Sequence, residues 1–196
     1  MLERVAECVN RLENFCGMRD IPDLTVSELE RGYGIRQADL MVLFGGSILC
    51  GGDVLASAMK RRLARHYVIV GGAGHTTETL RQKMRALFSN LETEGLTEAE
   101  LFDVYLRRRH GLHADFLERD STNCGNNITC LLELVKRNRL PLRSVILSQD
   151  ASMQRRMDAG LRKYAPDVKI INFASYRANV VVRHGVLAYE EEIFGM

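Results

Sequence analysis

The sequence predicts a Rossmann-like three-layer α/β sandwich, with a mainly parallel sheet of about five strands and additional helices at the N-terminus. Three observations carry this reading. Short, continuous apolar runs recur along the chain and end in glycines or polar residues, as strands buried on both faces do. Amphipathic segments of helical spacing separate them. That alternation implies right-handed crossovers between parallel neighbours.

Taken in order, Leu2, Val5, Cys8, Val9, Leu12 and Phe15 recur at helical spacing and open the chain with a helix. Thr25 or Ser27 caps a short second helix, closed by Gly32 or Gly34. The apolar run 38–46 is the first strand, 52–66 an amphipathic helix and 67–72 the second strand. A helix over about 76–88 precedes another over 97–111, where Thr97 and Glu100 have capping-box spacing. Strands follow at 115–120, 144–150 and 168–175. Between them lie a helix carrying "CLLELVKRNRL" and one over 151–165 stopped by Pro166. The chain reads as one domain over 1–196: a helical extension (1–37), the core (38–175) and a C-terminal segment (176–196) suited to a short strand or hairpin.

Composition excludes several classes. A chain of 196 residues with 46% hydrophobic and 27% charged content is that of an ordinary globular domain. A net charge of +2 makes no case for nucleic acid or an anionic membrane. The basic clusters 60–62 and 107–109 read as solvated helix faces. Five cysteines without a CxxC pair suit free thiols in a reducing compartment. The N-terminus lacks the apolar core of a signal peptide, and no apolar run approaches the roughly 18 residues of a membrane span. The expected location is the cytoplasm.

In open parallel sheets, ligands bind at the carboxyl ends of the strands near the switch in strand order. Gly45, Gly46 and Ser47 follow the first strand, and Gly71, Gly72, Gly74, His75 and Thr76 the second. Asp120, Ser121, Thr122 and Asn123 follow the third, and Gln149 and Asp150 the fourth. Four polar or glycine-rich ends on one rim predict a site. The run "GAGHTT" suggests backbone N–H groups and a helix N-terminus turned toward an anion, or a tight turn capped by Thr76 or Thr77. It departs from GxGxxG at its last position, and no P-loop lysine follows. His75, Asp120 and Asp150 are the candidate acid/base groups, and each aspartate is equally suited to cap the next helix. No metal-ligand spacing appears, although Asp53, His75, Asp120 and Asp150 could converge in the fold. In "DSTNCGNN", Ser121 or Thr122 is expected to cap the helix, which leaves Asn123 and Asn127 to hold a ligand or brace the neighbouring loops.

"GGAGHTT", "DSTNCGNN" and "QDASMQRR" together resemble the YdcF-like branch of the SanA/ElyC/YdcF family, a domain of unknown function, over roughly residues 38–175. The resemblance implies a Rossmann-like fold and a cleft that binds S-adenosylmethionine, its reaction undefined. By motif it assigns Gly71, Gly72, Gly74, His75, Thr76, Ser121, Thr122, Asn123, Asn127, Gln149, Asp150, Arg155 and Arg156 to that cleft. Where the family motif usually has Glu before its final Asn, this chain has Asn126, which cannot act as a carboxylate base. Longer relatives extend past residue 196, which implies a further C-terminal element in them.

Three functions follow as expectations. The first is a small-molecule-binding protein for S-adenosylmethionine or an adenine nucleotide. The second is a hydrolase or transferase acting on a phosphorylated or cell-envelope precursor. The third is a non-catalytic module that uses the polar rim to hold a partner.

Overall fold

The computed structural model describes residues 1–193. Five parallel strands form the central sheet in the order β3-β2-β1-β4-β5. They are β1 (Ala38–Phe44), β2 (Ala64–Val70), β3 (Phe116–Glu118), β4 (Ser144–Ser148) and β5 (Lys169–Asn172). The chain starts at the middle strand, winds outward to β3, then returns past β1 to β4 and β5. The switch therefore falls between β1 and β4, and their carboxyl ends open the crevice where ligands of such sheets bind.

Side-chain alternation along β1 divides the core. Leu40, Val42 and Phe44 face α6 (Cys124–Arg137) and α7 (Ala151–Tyr164). Met41 and Leu43 face α3 (Cys50–Lys60), α4 (Thr77–Leu87) and α5 (Glu98–His110). All seven residues of β1 are buried, Asp39 among them, as the otherwise apolar run predicts. The three-layer sandwich is what the alternating pattern implied.

Several boundaries moved: β1, β2 and β4 each end two residues earlier than expected, and β5, expected over 168–175, ends at Asn172. The helix expected over 52–66 ends at Lys60, where Arg62 takes a left-handed φ of 55°, and residues 64–66 belong to β2. β3 pairs only with Val68–Val70, so the first half of β2 has an open side where Arg65 is exposed. That polar start hid the strand. The strand expected at 115–120 is likewise only three residues long.

The N-terminal helices are α1 (Leu2–Cys16) and α2 (Val26–Tyr33). Thr25 caps α2 through a bond from the Glu28 N–H, and Gly34 closes it at a φ of 66°. The Thr97–Glu100 capping box on α5 is present. Residues 18–20 run along the outer edge of β5, where Asp20 N donates to Asn172 O and Asn172 N to Asp20 Oδ2. This covers an edge that would otherwise offer unpaired backbone groups.

The C-terminal segment forms the antiparallel hairpin β6 (Val180–Arg183) and β7 (Val186–Tyr189). Its turn residues His184 and Gly185 both have positive φ, as a type I′ hairpin turn requires. Residues 194–196 of the expected C-terminal segment lie outside the described residues. Among the described residues, no helix is long and apolar enough to cross a membrane.

Candidate functional site

A cavity of ≈330 Å³ opens at the carboxyl ends of β1, β2, β3 and β4. Its volume lies in the lower part of the small-molecule range. Of the residues expected there, the structure brings together Gly45, Gly46, Gly71, Gly72, Gly74, His75 and Thr76 with Ser121, Thr122, Asn123, Asn127, Gln149, Asp150 and Arg156. Ser47, Asp120 and Arg155 do not line it. Ser47 instead offers its carbonyl to Lys83 Nζ at 2.9 Å. Asp120 is exposed, and its N–H donates to Glu118 Oε1 at 2.7 Å. Arg155 turns to the N-terminal helix, where its guanidinium lies 4.0 Å over the Phe15 ring.

Three glycine N–H groups of the loop after β2 are taken up by the protein itself. Gly71 N donates to Glu118 O, Gly72 N to Ser121 O, and Gly74 N to Thr77 Oγ1 at 2.7 Å. Those three N–H groups are therefore not turned to an anion, whereas the N–H groups of Ala73, His75 and Thr76 have no acceptor among the described residues. Gly72 has a packing reason to be glycine, since a β-carbon there would lie 2.2 Å from Ser121 O. His75 is exposed at the rim and makes no hydrogen bond to the described residues.

The polar run 120–127 divides its labour differently from the expectation. Asn123, not Ser121 or Thr122, caps α6, accepting from Gly125 N at 3.0 Å and Asn126 N at 3.1 Å. Ser121 is buried and donates its hydroxyl to Glu118 Oε2 at 2.5 Å. Glu118 Oε1 also accepts from Asp120 N and Ser121 N, which pins the loop onto the end of β3. Asn126 donates no bond into the cleft; its Oδ1 accepts from Asn123 Nδ2 at 2.5 Å. Asn127 lines the cavity with its side chain unbonded to the described residues.

After β4, Gln149 acts as a brace. Its Nε2 donates to Gly45 O at 2.8 Å, and its Oε1 accepts from Asp150 N at 2.7 Å. The Asp150 carboxylate rests against Gly46, where a β-carbon would stand 2.8 Å from Oδ2. Asp150 supplies no side-chain cap to α7. Burial first, and the Glu98 carboxylate second, push its carboxyl up to about 7, while Lys83 pulls the other way.

Glu98, Cys124 and Met153 line the cavity without having been expected. Glu98 matters most. It is 8% exposed, and its Oε1 accepts from Thr76 Oγ1 at 2.8 Å and Thr77 Oγ1 at 3.0 Å. A β-carbon at Gly45 would lie 2.6 Å from Glu98 Oε2. Burial raises its carboxyl above the ordinary range, and the two threonine bonds oppose that shift. In sequence it is an acid in the first turn of a helix, a place normally explained by the helix dipole. The tie that turns it inward is tertiary: Glu98 N donates to Gly72 O, and Ala99 N to Gly71 O at 2.8 Å.

The four suspected ligands do not gather. Asp53 sits across the α3–α5 contact, bonded to Tyr105 at 2.9 Å and His110 at 2.7 Å. No group of three or more metal-ligating side chains occurs among the described residues. No protein-family model matches the chain.

Proposed function

We propose that the chain binds a small adenosine-type molecule, S-adenosylmethionine or an adenine nucleotide, in this cleft. The observation that carries the reading is the cavity at the β1/β4 switch point, walled by residues from all three motifs of the YdcF-like resemblance. His75, Asn127 and Arg156 supply polar groups at the wall, and Cys124 and Met153 supply apolar surface for a base. All five cysteines are free, in keeping with a protein that works in a reducing compartment, and we assign it to the cytoplasm. Calorimetric titration with S-adenosylmethionine, its demethylated product and ATP, each near a millimolar, tests the reading. Binding of at least one supports it; absence of heat with all three rejects it.

A second reading is favoured by Asp150. A carboxyl held near 7 beside another buried acid is suited to move protons at neutral pH, as a hydrolase or transferase of phosphorylated or envelope-precursor substrates would require. A substrate screen with wild type, His75→Ala and Asp150→Asn decides it. Turnover that survives Asp150→Asn unchanged removes that residue from any reaction.

A further inference from the structure

The first helix is mounted with its polar side inward. At about 100° per residue, Leu2, Val5, Cys8, Val9, Leu12 and Phe15 share an arc of about 140° around α1. The opposite side meets the body of the protein, and Ala6 is the only residue of α1 that is buried. Asn10 holds that side down by polar contact. Its Nδ2 donates to Val180 O at 2.8 Å, and its Oδ1 accepts from Val180 N at 2.6 Å. Glu13 also turns inward, with Oε2 buried. An amphipathic helix in a lone globular domain does the reverse and lays its apolar stripe on the core. Here Leu12 is 65% exposed, Phe15 59%, Val5 41% and Leu2 38%. Of the ten large apolar side chains exposed among the described residues, five fall within residues 1–16. An apolar patch concentrated in this way marks an interaction surface.

We propose that this arc is the interface of a two-fold dimer, in which α1 packs antiparallel on α1 of a second copy. The arc is self-complementary. Leu2 and Phe15, Val5 and Leu12, and Cys8 and Val9 stand symmetrically about the middle of the helix. Two copies laid antiparallel therefore bring apolar against apolar at every level, as an isologous contact demands. The size also fits. The exposed parts of these side chains and of Met1 offer roughly 500 Å² per copy, so two copies reach the roughly 1,000 Å² that a specific interface clears. Charge stays at the edge of the arc: Arg4 and Arg11 border it, Arg11 paired to Glu7 at 2.6 Å, and Arg155 lies over the Phe15 ring. A lipid surface fits less well. The helix carries three glutamates and two arginines, whereas helices that lie on anionic membranes carry a basic excess. The dimer is independent of any ligand in the cleft.

Sedimentation velocity from about 1 to about 200 μM tests the proposal. The wild type is expected to approach twice the 22.2 kDa of the chain as concentration rises. Leu12→Glu, which would bury a charge in the interface, is expected to weaken the dimer at least about tenfold. Leu87→Glu, at an exposed apolar residue on α4, is expected to leave it unchanged. A second measurement needs no variant: a short bismaleimide applied to the wild type is expected to join Cys8 of two copies, read as a linked peptide by mass spectrometry. A wild type that stays monomeric throughout overturns the proposal, as does a dimer indifferent to Leu12→Glu or linked only through Cys124 or Cys130. Monomers that bind phosphatidylglycerol–phosphatidylcholine vesicles, and lose that binding in Leu12→Glu, assign the arc to lipid and overturn it too.

Discussion

Gly72 donates its amide to the Ser121 carbonyl at 3.0 Å, and that same oxygen would stand 2.2 Å from a β-carbon on residue 72. The loops after β2 and β3 are thus locked at a backbone-to-backbone distance that only glycine permits. Gly72→Ala is expected to cost more than about 3 kcal/mol, because the opposing atoms are backbone and cannot rotate aside. Urea unfolding of the variant measures it; a loss under 1 kcal/mol would mean that the loops separate freely.

Glu118 holds the same junction from below. Buried at 4% exposure, it accepts from Asp120 N, Ser121 N and the Ser121 hydroxyl. Glu118→Ala leaves these donors unpaired and is expected to cost about 3 kcal/mol. Amide exchange at residues 120 and 121 should accelerate more than at the β1 amides.

The cap of α6 offers a sharper contrast. Asn123→Ala is expected to lose about 1 kcal/mol, since two N–H groups of the first turn lose their acceptor. Thr122→Ala, one residue earlier and exposed, should change stability by less than about 0.5 kcal/mol. Equal losses would contradict the assigned cap.

Asp150 makes stability depend on pH in an unusual direction. Its carboxyl is raised from 3.8 to about 7, so between those values the folded protein holds a proton that the unfolded chain has released. Stability from this group therefore falls as pH rises through the window, by on the order of 4 kcal/mol in full. Asp150→Asn should remove that fall, and parallel denaturation series at pH 4 and pH 8 would reveal whether it does. A wild type that gains stability relative to the variant over this range would reverse the sign and refute the burial of the charge.

Adjacent arginines on α7 give a functional contrast. Arg156 lines the cleft, whereas Arg155 lies over Phe15 of α1. Arg156→Ala is expected to weaken S-adenosylmethionine binding severalfold, and Arg155→Ala to leave it unchanged while lowering stability by up to about 1 kcal/mol. Calorimetry on both variants separates the two roles.

Much of this was legible in the residues themselves. Apolar runs such as 38–44 and caps such as Thr25 and Thr97 act locally, so the layer order and most element ends could be read from pattern alone. What stayed hidden depended on distant partners. Arg155 and Arg156 differ by about 100° around their helix, and only packing decides which of them meets the cleft. Glu98 looks like any acid in a first helical turn until the β2 loop pulls its backbone inward. The start of β2 was missed because β3, its outer neighbour, is too short to bury it.

The bonds that build the cleft span long stretches of chain. Thr76 meets Glu98 across 22 positions, Gly72 meets Ser121 across 49, and Gln149 meets Gly45 across 104. Gln149 can meet Gly45 only once β4 lies beside β1, so the complete cleft belongs to the late, non-local part of folding. A chain with β4 undocked would lack the wall that Gln149, Asp150, Met153 and Arg156 give the pocket. Ligand would then stabilise only the finished sheet, which makes readiness to bind a report on complete assembly.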